Sequence, residues 1–75
     1  MKELYLERIR GLREDRDLKQ REIAKILHIA QRTYSGYENG SRALPVHILI
    51  DLAKYYDESL DWICGLSDKR KREQD

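Results

Sequence analysis

The 75-residue chain has one cysteine, Cys64, one proline, Pro45, and no phenylalanine. A single thiol cannot close an intramolecular disulfide, and it supplies too little sulfur for a cysteine-rich metal site. Cys64 is therefore expected to be a small buried hydrophobe in a reducing compartment. His28 and His47 are far apart and lack carboxylate or thiol company, so no metal or other cofactor is expected. No apolar run approaches the roughly 20 residues that a membrane span requires. Met1-Lys2-Glu3-Leu4 carries an acid early and has no signal-peptide core. A soluble, cytoplasmic protein without a membrane partner is the expectation. No Ser-His-Asp, paired-carboxylate or glycine-rich phosphate signature stands where a cleft would form, so neither an enzyme nor a small-molecule substrate is expected.

A large net charge is also missing, since 15 Lys and Arg oppose 14 Asp and Glu. The balance is uneven along the chain. Residues 1–42 carry ten basic against seven acidic side chains, whereas residues 43–68 set Lys54 alone against five acids. The last residues, 69–75, are basic again, with four cations against two acids. Such segregation would orient the molecule in the field of a polyanion, although ordinary solvated faces give the same tally.

What is present is helix. Charged and apolar residues make up 39% and 40% of the chain and are interleaved, which suits compact amphipathic helices better than disorder. Leu6, Ile9 and Leu12, with Tyr5 beside them, recur at helical spacing through about Asp15, and Asp17 is a reasonable left-handed stop. Gln20 to Leu27 puts Ile23, Ala24 and Leu27 on one face, and a link of three residues, His28-Ile29-Ala30, follows. A third helix runs from Gln31 to about Asn39 with Tyr34 and Tyr37 inward, their hydroxyls at the surface, and Gly40 past its last turn. Pro45 suits the first turn of a fourth helix whose stripe includes Ile48, Leu52 and Tyr56. Ser59 caps a short fifth helix with Leu60, Ile63 and Leu66 inward, Trp62 in the core and Gly65 as its close. The reading is all-α: a compact bundle of five helices in one domain over residues 1–66, with a frayed basic tail at 67–75. Lys69 to Arg72 in that tail is either a solvated run or a sequence-independent phosphate contact.

Two helices of about eight residues joined by so short a link must cross steeply, as in a helix-turn-helix. In that geometry the second helix enters the major groove with its N-terminal residues nearest the bases. The tyrosines occupy its inner side and leave Gln31, Arg32, Ser35 and Gly36 outward. Arg can pair with guanine O6/N7 and Gln with adenine N6/N7, while Ser35 suits either a base or a phosphate. Gly36 has no side chain to read with; it would allow close approach of a phosphate or a thymine methyl.

Gln20-Arg21-Glu22-Ile23-Ala24 followed by Tyr34-Ser35-Gly36-Tyr37-Glu38-Asn39-Gly40 resembles the Cro/repressor-type helix-turn-helix family, often called the Xre family. Leu12-Arg13-Glu14 and Ser59-Leu60-Asp61-Trp62-Ile63 are similar to that family as well, so the likeness covers roughly residues 6–66. The resemblance implies a lambda-repressor-like domain that binds double-stranded DNA. It implies that Gln20 holds a phosphate and braces Gln31, that Asn39, Ser41 and Arg42 touch phosphates, and that Arg13 pairs with Glu38 to lock the reading helix in place. The family usually caps the second and third helices with Ser or Thr; this chain has Lys19 and Ala30. Each missing cap forgoes about 1 kcal/mol, as simple drift or because the freed N–H groups face phosphates.

The expected function is a transcriptional regulator, a repressor, that binds a pseudo-palindromic operator as a homodimer. The dimer surface is expected in the acidic C-terminal half, on Leu60, Ile63 and Leu66. The competing expectation is a protein-interaction module of the same fold, an antitoxin or anti-repressor whose main partner is another protein and whose DNA binding is secondary.

Overall fold

The computed structural model describes residues 4–70 as five helices. They are α1 (Leu4–Asp15), α2 (Gln20–Ile26), α3 (Gln31–Asn39), α4 (Val46–Tyr56) and α5 (Leu60–Ile63). No helix among them is long and apolar enough to cross a membrane. The all-α bundle expected from periodicity is what forms. Each helix contributes at least one buried side chain to a single core, from Ile9 on α1 through Ile23, Tyr34 and Leu52 to Ile63, all fully buried.

The helices are short, so their ends matter. α1 stops because Asp17 takes a left-handed φ of 54°, which turns the Leu18 N–H back onto the Arg13 carbonyl at 3.1 Å. α2 ends the same way on His28, φ 60°, with the Ile29 N–H on the Ala24 carbonyl at 3.0 Å. α4 ends on Asp57, φ 54°, with Glu58 N–H on the Ala53 carbonyl at 3.0 Å. In all three a bond reaches back five residues across a left-handed position usually given to glycine. Asp and His tolerate that region better than most residues, which is why the chain turns sharply without glycine there. Gly40 and Gly65 take the left-handed position after α3 and α5, at φ 85° and 81°.

The starts of the helices differ in chemistry. Lys19 offers no side-chain acceptor to α2, but Glu22 Oε1 accepts the Lys19 N–H at 2.8 Å, which completes half of a capping box. Ala30 contributes no side-chain cap to α3. Ser59 Oγ accepts the Trp62 N–H at 3.2 Å and caps α5. Pro45 sits one position earlier than expected, at the N-cap of α4 with ψ 147°, and its carbonyl accepts from Ile48 and Leu49 at 3.1 Å.

Four expectations are corrected. Cys64 is exposed, because α5 ends at Ile63 and the next side chain faces away from the core. The Tyr34 hydroxyl is buried rather than at the surface, since the whole residue is enclosed in the core beside Glu38. Trp62 is only half-buried, and the guanidinium carbons of Arg8 and Arg70 stand 4.3 and 4.6 Å from its ring centre. Residues 67–70 are docked, not frayed: the Arg70 carbonyl accepts the Ser59 N–H at 2.6 Å and Arg70 Nε reaches Glu58 Oε1 at 3.0 Å. Composition suggested a tail with nothing to bury; cation–π stacking and a nearly buried carboxylate supply the attachment instead. The remainder of the expected tail, residues 71–75, and residues 1–3 of the expected domain lie outside the described residues.

The left-handed positions give a stability prediction of opposite signs. Gly40→Ala places a Cβ at a φ of 85° and 3.3 Å from a Leu6 methyl, and costs about 1–2 kcal/mol. His28→Gly removes the same kind of strain and raises stability by up to about 1 kcal/mol, less the glycine's extra freedom when unfolded. Urea midpoints read both, with the slopes of the transitions unchanged.

Candidate nucleic-acid interface

α2 and α3 are separated by four residues, of which Leu27 and the left-handed His28 reverse the chain. With Ile23 and Ala24 of α2 and Tyr34 of α3 in the shared core, α3 packs on α2 by one side and leaves Gln31 and Arg32 in solvent. Gln31 and Arg32 are exposed at its start and Ser35 is half-exposed one turn on. Thr33 and Tyr37 are half-buried, and Tyr34 and Glu38 are inside. The exposed polar residues of α3 are therefore Gln31, Arg32 and, at its end, Asn39, with Ser35 and Thr33 partly exposed between them.

Gly36 is not part of it. It is buried, because the turn after α3 folds back over it and Arg42 lies across the space where a side chain would stand. Asn39 Oδ1 accepts the Ser41 N–H at 2.8 Å and shapes that turn, and the Arg42 N–H reaches the Gly36 carbonyl at 3.0 Å. Asn39, Ser41 and Arg42 are all exposed. Only the carbonyl end of the Asn39 amide is used in the turn, so its NH₂ faces outward as a donor.

The inner side of α3 is held by a buried carboxylate. Glu38 is 1% exposed, and Arg13 of α1 grips it with two bonds, Nε to Oε2 at 2.9 Å and Nη2 to Oε1 at 2.8 Å. Arg13 Nη1 also donates to the Leu18 carbonyl at 2.8 Å, so the fork ties α1, the α1–α2 link and α3 together. Gln20 Nε2 adds a donor to Oε1 at 3.3 Å, and Arg10 Nε lies 3.4 Å away. The Gln20 amide thus spends one donor on the charged Glu38 carboxylate, a tie the resemblance did not suggest. Gln20 remains half-exposed at the start of α2, with its carbonyl and one amide hydrogen uncommitted.

Burial alone would raise the Glu38 carboxyl, but hydrogen bonding from Arg13, with smaller help from the Tyr34 side and from Gln20, outweighs it and lowers the pKa to about 2. The Tyr34 hydroxyl rises well above the ordinary phenol, first through burial and then through the adjacent Glu38 carboxylate, and it stays neutral. The Arg13 guanidinium is raised by its bonds to Glu38 and stays charged.

The cations divide into two sets. Arg8, Arg10, Arg13, Arg16 and Arg70 are committed inside the molecule, to a carboxylate, a carbonyl or an aromatic ring. Lys19, Arg21, Lys25, Arg32 and Arg42 have no carboxylate within salt-bridge distance among the described residues, and every one is exposed. These five fall on α2 and its N-cap, on α3 and on the turn after it; Lys54 on α4 is likewise exposed without such a partner. An outward helix beside a strip of unpaired cations is the arrangement of a DNA-reading helix-turn-helix domain.

The family model described as helix-turn-helix matches residues 9–63, and the chain belongs to that family in its Cro/repressor-type (Xre) form. It is 40% identical over 65 residues to an uncharacterized HTH-type transcriptional regulator, YobD, of Bacillus subtilis (strain 168), across 87% of this chain and 58% of that protein. It is 36% identical over 53 residues to the cryptic phage CTXphi transcriptional repressor RstR of Vibrio cholerae, across 71% of this chain and 48% of that protein. A third relative, the HTH-type transcriptional regulator AnsR of Bacillus subtilis (strain 168), is 34% identical across 83% of this chain and 53% of its own length. The chain thus spans about half the length of the curated relatives it matches. No solved structure gives a significant match.

Of the residues expected at a dimer surface, Leu66 is 79% exposed and Leu60 is half-buried. Ile63 is corrected: it is fully buried within one chain, where it anchors α5 to the core. Leu4 was not anticipated. It is 45% exposed and lies beside Gly65, so α1 and the end of α5 share one apolar surface with Leu66 next to it.

The Glu38 network predicts acid sensitivity with a defined sign. Its folded pKa lies below the ordinary 4.5, so its stabilisation is whole above about 4.5 and drains away as pH falls toward 2. Glu38→Gln flattens that limb and, by leaving the Arg13 charge uncompensated, lowers stability at neutral pH by about 3–5 kcal/mol. Chemical denaturation of both proteins across this pH range, followed by circular dichroism, measures the difference.

Proposed function

We propose that the protein is a cytoplasmic, sequence-specific DNA-binding transcriptional repressor that acts as a homodimer on a pseudo-palindromic operator. The observation that carries this reading is the concentration of exposed cations without a carboxylate partner in residues 19–42, around α3, where five of the six among the described residues lie, Lys54 being the sixth. α3 lies in the major groove. Arg32 pairs with a guanine edge, Gln31 with an adenine, and Ser35 contacts a base or a phosphate. Gln20, Asn39 and Ser41 hold the backbone on either side of the groove. The printed names of the relatives, transcriptional regulators and one phage repressor, support the same direction.

A single α3 reads too few base pairs for selectivity, and two such helices one DNA turn apart, about 34–36 Å, give two half-sites. The second copy packs on Leu60 and Leu66 of the acidic C-terminal half, with Leu4 of α1 beside them, and this surface faces away from DNA. No sequence or structural observation specifically favours a toxin or anti-repressor as the main partner, and no catalytic role is assigned.

Three measurements test the reading. Fluorescence anisotropy with duplex DNA shows binding that weakens steeply with salt, as counterion release demands; no salt-sensitive binding to any duplex overturns it. Arg32→Ala costs about 1–3 kcal/mol and relaxes preference at one base pair, while Gln20→Ala weakens all sequences alike. Leu66→Asp converts the dimer to a monomer in sedimentation and lowers operator affinity without unfolding the domain. Because Cys64 is exposed beside this surface, mild oxidation of the wild-type dimer is an independent check through a disulfide-linked pair on non-reducing gels.

A further inference from the structure

The reading side of α3 has a gap at Gly36. This residue is one turn beyond Arg32 and continues its stripe, since residues four apart on a helix are neighbours. An outward glycine should be open to solvent, yet Gly36 is buried. A Cβ there would stand 2.8 Å from Arg42 Cδ, 2.9 Å from Arg42 Cγ and 3.3 Å from Ser41 Oγ. The aliphatic stem of Arg42 therefore occupies the volume that a side chain at position 36 would fill.

Three features hold it there. The Arg42 N–H donates to the Gly36 carbonyl at 3.0 Å, the Asn39 amide clasps the Ser41 N–H at 2.8 Å, and the left-handed Gly40 makes the reversal possible. Arg42 is nevertheless exposed and makes no ion pair among the described residues, so its guanidinium is available. A guanidinium carried on a stem packed over Gly36, one helical turn beyond Arg32, is a partly pre-organised fork, and a fork suits a guanine edge better than a point charge does.

We propose that Arg42, seated on Gly36, supplies the side chain that α3 lacks at that position and reads a base edge as a second specificity-determining arginine. The phosphate contact expected of Arg42 from sequence gives way to base recognition. The reading helix is then composite: its N-terminal readers come from α3 and its next one from the turn that follows. This inference rests on DNA reading by α3.

The discriminating experiment is selection from a duplex pool with a randomised core, applied to the wild type, Arg42→Ala, Arg42→Lys and Gly36→Ala. Anisotropy on non-selected duplex DNA accompanies it. Gly36→Ala keeps the fold, because the group it displaces is a flexible methylene stem at the surface and alanine suits a helix better than glycine; circular dichroism checks this. The wild type enriches a motif. Arg42→Ala flattens one position in each half-site, with discrimination there reduced about 5- to 100-fold, and leaves the others intact. Gly36→Ala flattens that same position, because the stem can no longer lie on the helix. Arg42→Lys retains binding to non-selected DNA but does not restore the preference, since it lacks the fork.

An unchanged motif with uniformly weaker binding in Arg42→Ala makes Arg42 a phosphate clamp and overturns the proposal. A motif altered by Arg42→Ala but untouched by Gly36→Ala overturns the seat on Gly36. Absence of salt-sensitive binding in the wild type overturns DNA reading itself, a result distinct from both.

Discussion

One buried carboxylate organises this domain. Glu38 lies near the end of α3 at 1% exposure, and a charge so placed persists only if its surroundings replace the water it lost. Arg13 supplies most of that replacement through a two-pronged grip, and Gln20 completes it from the start of α2. Three helices are thereby referred to one group. The consequence for function is geometric: with Glu38 and Tyr34 pinned inward, the helical period leaves Gln31, Arg32 and Ser35 no direction but outward. A hydrophobic contact in place of the pair would hold α3 to the bundle but would tolerate rotation about its axis. The bidentate fork tolerates little, since both of its bonds are directional.

The same economy of charge explains why a net charge of +1 is compatible with a polyanion partner. Arg8, Arg10, Arg13, Arg16 and Arg70 are absorbed by Glu38, Glu58, backbone carbonyls and aromatic rings. Their positive charge is cancelled or shielded locally. The cations of residues 19–42 have no such partners, so they remain available to set the field around α2 and α3. Counting charges over the whole chain averages these two populations and conceals the basic face.

The helices were legible in the residues to within one or two positions, because apolar spacing and left-handed stops are local properties. Asp17 and Gly40 stop their helices where expected. The Arg13–Glu38 pair was legible only through resemblance, as nothing in spacing alone brings residues so distant together. Gly36 was misplaced because its burial comes from Arg42, a residue outside the helix whose periodicity was being read. Ile63 and Leu66 look equivalent on a helical wheel, yet α5 ends at Ile63, so one is core and the other is surface. The docking of residues 67–70 was missed because polar, charged side chains carry no hydrophobic signal, although Arg70 finds a carboxylate and an indole ring.

What the sequence by itself determined is the set of helices and the position of the one that projects. These follow from contacts between residues three or four apart and from the few residues that accept a positive φ. Only the tertiary structure decided which cations are free, where Gln20 spends its hydrogen bond, and what covers Gly36. Each of those depends on a partner supplied by another part of the fold, and a partner is chosen by proximity in space, which no local pattern encodes.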